Sequence, residues 1–111
     1  MGITAQEFRG IALSHAGAVE SAHMRHPDFR ISGRIFASLG YPDEEHAMVR
    51  LTPADQAAFI RRNPEAFAPS AGAWGLSGCT RVHLPRANRS ILETAMRAAV
   101  AYAQSKERRA R

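Results

Sequence analysis

His26-Pro27-Asp28-Phe29-Arg30-Ile31-Ser32-Gly33-Arg34-Ile35-Phe36-Ala37-Ser38-Leu39 spells a tight β-hairpin. Ser32-Gly33 supplies the turn, because such a pair tolerates the positive φ that two-residue hairpin loops require. Phe29 and Ile31 alternate on one arm, and Ile35, Ala37 and Leu39 on the other. That period of two belongs to half-buried strands. Pro27 biases His26 toward extended backbone, so the first arm starts there.

The flanking segments extend this core unit. Upstream, Thr4 and Glu7 form a T-x-x-E capping box, and Phe8, Ile11, Ala12 and His15 recur at spacings of three and four. A helix is therefore expected over Ala5–His15, stopped by Gly17. Val19–Met24 reads as a strand, and so does His46–Leu51 after the acidic turn Gly40-Tyr41-Pro42-Asp43-Glu44-Glu45. Thr52-Pro53-Ala54-Asp55 opens a second helix with an N-cap, a proline in the first turn and an acid, running to Arg62. Glu65–Ala68 is expected to add one helical turn. Thr80, Val82 and Leu84 alternate as a last strand, closed by Pro85. A final helix is expected from Ser90, capped by Ser90 and Glu93, with Ile91, Leu92, Ala95, Met96, Ala99, Val100 and Ala103 as its apolar stripe.

Short links make neighbouring strands antiparallel. The expected fold is thus α+β: an antiparallel meander sheet packed against helices, in the order α-β-β-β-β-α-β-β-α. Residues 1–104 form one domain, and 105–111 a frayed basic tail.

The chain has 111 residues, 45% of them hydrophobic and 23% charged, as expected of one globular domain. No run approaches the ~18 apolar residues of a membrane span. The first residues show neither the basic nor the apolar region of a signal peptide, and the single cysteine, Cys79, cannot form an intramolecular disulfide. A cytoplasmic location without membrane contact is expected. Net charge is +5, unevenly divided: residues 1–55 hold five basic and seven acidic side chains, and residues 56–111 hold ten and three. That asymmetry suits a polyanion-binding face.

The pattern resembles the MmcQ/YjbR family of small bacterial proteins. The resemblance rests on His26-Pro27-Asp28-Phe29-Arg30, Gly33-Arg34-Ile35-Phe36-Ala37, Leu51-Thr52-Pro53, Trp74-Gly75, and Gly78 with Thr80 leading into a strand. It spans nearly the whole chain. Cys79 is a departure, standing where the family usually carries an aromatic. The resemblance implies a compact α+β fold similar to bacterial frataxin-like and secretion-chaperone-like domains, and a DNA-binding function.

Several residues invite chemistry. His23, His26 and Asp28 offer metal-ligand types, but on one extended segment residues three apart face opposite ways, so no metal site is expected. Trp74, between Gly72 and Gly75, reads either as a core plug or as an exposed ring for a base. Cys79 and His83 share a strand face too far apart for proton transfer, so a structural thiol is expected. Ser, His and Asp occur at no spacing that singles out a triad. No enzyme, cofactor or metal is expected.

The expected DNA contacts are Arg61, Arg62, Arg81, Arg86, Arg89, Arg97, Lys106, Arg108 and Arg109, acting on backbone phosphates. His23, His26, Arg30 and Trp74 are a second candidate ligand surface. DNA is the first expected partner. The alternative is a chaperone-like module that holds a protein or peptide, the chain being a monomer or weak homodimer.

Overall fold

A computed structural model describes residues 2–109, with side chains as far as residue 105. The elements run α1 (Ala5–Leu13), β1 (Val19–His23), β2 (His26–Ile31), β3 (Arg34–Leu39), β4 (His46–Arg50), α2 (Pro53–Arg62), β5 (Phe67–Pro69), α3 (Gly72–Leu76), β6 (Cys79–His83) and α4 (Arg89–Arg109). The strands form one six-stranded sheet in the order β1-β2-β3-β4-β6-β5, every pair antiparallel. This is the α+β architecture expected from the sequence.

Ser32 (φ 53°) and Gly33 (φ 77°) turn the central hairpin with both residues in the left-handed region. The register slips between Phe29 and Arg30 opposite Phe36, so that Phe36 and Ala37 are both fully buried. Across the sheet, Glu20, Phe29, Ala37, Val49, Thr80 and Pro69 stand in one row. Phe29, Ala37, Val49 and Thr80 in that row are completely buried. Helices α1, α2 and α4 send Phe8, Phe59, Leu92 and Met96 into the same core. The adjacent row is Ser21, Asp28, Ser38, Met48, Arg81 and Ala68, on the opposite face.

Caps fix the helix starts. In α1 the Thr4 amide donates to Glu7 Oε1 at 2.9 Å, and the Glu7 amide donates to the Thr4 hydroxyl at 3.0 Å. Helix α1 ends at Leu13, two residues before the expected His15. In α4 the cap is Asn88, whose Oδ1 accepts from the Ile91 amide at 2.9 Å. The expected Ser90–Glu93 box does not form, because Glu93 pairs with Arg89 instead.

Two local readings are corrected. Glu65–Ala68 holds no helical turn: Phe67–Pro69 is strand β5 on the edge of β6. Burial of Phe67 against Phe59 and the ladder to Val82 outweigh the helical preference of Glu-Ala-Phe-Ala. The glycine-rich Ser70–Gly78 segment contains the five-residue helix α3, absent from the expected order.

Candidate functional site

The β2–β3 hairpin, the end of β4, α3 and the middle of α4 line a cleft of about 390 Å³. Its walls are Arg30, Gly33, Arg34 and Ile35 from the hairpin, Arg50 at the end of β4, and Trp74 on α3. His23, together with Ala99, Tyr102 and Ala103 from α4, completes them. Among the described residues the lining contains three arginines and a histidine but no carboxylate.

Among the described residues only one of these arginines is tied to an acid. Arg30 donates through its Nε to Asp28 Oδ1 at 2.9 Å and through an Nη to Oδ2 at 3.1 Å. Asp28 is itself buried. This forked bond raises the Arg30 pKa above its ordinary value, so the guanidinium stays charged at every working pH. Arg34 and Arg50 form no ion pair among the described residues. The Nε of Arg34 is buried and lacks a hydrogen-bond partner. A buried, unmatched donor is unfavourable by about 1–3 kcal/mol.

Trp74 is 67% exposed, which removes the core-plug reading. Its backbone is nevertheless held tightly. Gln56 donates to the carbonyls of Gly75 and Cys79, both at 3.0 Å, tying α3 to α2 and β6. Gly75 lies so close to Ser70 that a Cβ would stand 1.9 Å from the Ser70 carbonyl oxygen. The indole is thus an exposed ring on a fixed platform.

A second depression of about 150 Å³ is lined by His46, Glu65, Ala68, Arg81 and His83, among others. Its two histidines have acids nearby. His46 Nδ1 lies 2.7 Å from Asp43, and His83 Nε2 lies 3.8 Å from Glu45. The His46 contact holds the Asp43 carboxyl below its usual pKa, with the Glu45 amide adding to the effect. Glu65 lines the smaller depression, whereas no acid lines the larger cleft among the described residues.

His23, Arg30 and Trp74 share the cleft, whereas His26 packs edge-on against Tyr41, with ring centroids 5.7 Å apart. The expectation that His23 and His26 face opposite ways is wrong. Met24 and Arg25 both take positive φ and reverse the chain, making His23 and His26 a directly opposed cross-strand pair. Among the described residues no three His, Cys, Asp or Glu side chains are grouped to hold a metal ion.

Arg61 and Arg62 are exposed at the end of α2, and Arg97 is exposed on α4. Arg86 lies 3.5 Å from Glu65, and Arg89 lies 3.1 Å from Glu93. Arg81 is half-buried beside the smaller depression. The side chains of Lys106, Arg108 and Arg109 lie outside the described residues. Cys79 is buried, and that burial pushes its thiol pKa up. Arg34, Arg50 and Tyr102 had no distinguishing sequence spacing, because the cleft joins positions far apart in the chain.

No protein-family model matches this chain, and no curated protein matches it by sequence. Among solved structures, its fold is similar to that of DR2400. That Deinococcus radiodurans protein carries a DUF419 domain, and its crystal structure superposes with a TM-score of 0.79. The match covers 95% of this chain and 81% of that one, at 13% identity. At that identity the likeness is one of fold.

Proposed function

We propose that this protein is a DNA-binding module of the MmcQ/YjbR type that grips backbone phosphates in the arginine cleft. The fold likeness supports the family reading, since DUF419 is related to the MmcQ/YjbR fold. The observation that carries the binding reading is a cleft whose described lining holds no acid, and in which Arg34 and Arg50 have no ion-pair partner among the described residues. Arginine forks suit phosphate oxygens, and phosphate contacts fix a protein on DNA without reading its bases. This reading places the contacts at Arg30, Arg34 and Arg50 rather than along the basic second half.

Fluorescence anisotropy with labelled duplex DNA over a salt series tests it. Three phosphate contacts give a slope of log affinity against log salt of about −2.7. Binding that is flat in salt, or absent at low salt, refutes the reading.

A second reading draws on the free edge of β1, where all five residues from Val19 to His23 are exposed. An extended peptide can add to such an edge through main-chain hydrogen bonds. Nuclease-resistant capture of one specific partner, abolished by a proline at Ser21, supports that alternative.

A further inference from the structure

Resting on the nucleic-acid reading above, we infer that the cleft selects single-stranded over duplex nucleic acid, with an unpaired base stacking on Trp74 while Arg34 and Arg50 hold the adjacent phosphates. Three features of the cleft point the same way. First, a large aromatic ring is 67% exposed where tryptophan is ordinarily well covered. Second, its backbone is immobilised by the Gln56 bonds and by the close approach of Gly75 to Ser70, so stacking requires little ordering of the platform. Third, the ring lines the same cleft as two arginines that have no acid partner among the described residues.

An aromatic face beside a cationic track is the arrangement that binds single strands, because every base offers a π-face and every nucleotide a phosphate. A base paired inside a duplex keeps its faces stacked on its neighbours and cannot use the indole. The duplex could therefore engage only the arginines. Selection follows from the tryptophan, and the salt dependence follows from the arginines.

Trp74 is the only tryptophan in the chain, so its fluorescence reports on the site directly. The test titrates wild-type protein with a labelled DNA single strand of about ten nucleotides, within the usual span of such sites, and with its duplex. Indole emission and anisotropy are read together. The expected result is tighter binding of the single strand, with quenching of Trp74. Trp74→Ala weakens single-strand binding at least about fivefold and leaves duplex binding within about twofold, while Trp74→Phe recovers part of the loss. Because Trp74 is exposed, both variants are expected to melt near the wild-type temperature. Equal affinity for both forms without quenching overturns this inference and leaves phosphate binding intact. Failure of both forms to bind at low salt overturns the nucleic-acid reading itself.

Discussion

Gly78 fixes the base of the Trp74 platform, and replacing it tests whether the cleft is built as described. Its φ is +112°, a backbone conformation that side chains rarely adopt, and its carbonyl accepts from the Leu51 amide at 3.0 Å. A Cβ placed there would stand 1.9 Å from the Leu51 carbonyl oxygen and 2.9 Å from the carbonyl carbon. Neither is the movable end of a flexible side chain. Backbone strain of about 1–3 kcal/mol and an overpacking cost of similar size give Gly78→Ala a loss of about 3 kcal/mol or more. With an unfolding entropy of about 2.1 cal/mol/K per residue, about 3 kcal/mol lowers Tm by about 13 °C for 111 residues. Gly10 is the internal control: it lies within α1, and a Cβ there would meet nothing within 4 Å. Gly10→Ala is expected to gain about 0.5–1 kcal/mol, or a few degrees. Thermal melts followed by circular dichroism compare the two. A Gly78→Ala variant within about 1 kcal/mol of wild type, or a Gly10→Ala variant equally damaged, would refute the reasoning.

Three further outcomes follow from the same physical arguments. Asn88→Ala removes the side-chain cap of α4 and is expected to cost about 1 kcal/mol, read as a shift in the urea midpoint. Glu7 has its pKa lowered from 4.5, chiefly by the Thr4 amide and then by the Thr4 hydroxyl, so its contribution is complete above 4.5 and is lost as pH falls through the lower folded value. Wild type should accordingly lose stability on acidification faster than Glu7→Gln, and parallel acid limbs would contradict this. Cys79 should react slowly with a thiol reagent at pH 8 in the native state and promptly in urea, because burial raises its pKa and excludes the reagent.

Local rules carried most of the architecture. The Ser32-Gly33 turn, the Thr4–Glu7 box and the Thr52-Pro53 helix start are each set by residues within four positions of one another, so the sequence displays them. What it concealed depended on distant partners. Strand β5 exists because Phe67 pairs across to Val82 and meets Phe59, neither of which is a sequence neighbour. Met24-Arg25 lacks the glycine or asparagine that usually marks a tight turn, so the pairing of His23 with His26 was not visible. The cleft was the least accessible feature. His23, Arg30 and Trp74 were grouped from sequence, with His26, as a candidate ligand surface, but Arg34, Arg50 and Tyr102 gain meaning only when the sheet and α4 bring them together. The cleft arginines all lie in the near-neutral half, so the division of charge at mid-chain did not point to them.

The most direct measurement compares Arg34→Gln/Arg50→Gln with Arg61→Gln/Arg62→Gln, each removing two positive charges, in DNA binding across a salt series. The expected result is at least a tenfold loss at low salt for the cleft pair, a salt slope shallower by about 2, and less than about a twofold change for the α2 pair. The reverse ranking, or equal losses from both pairs, would show that general basicity rather than the cleft holds the nucleic acid.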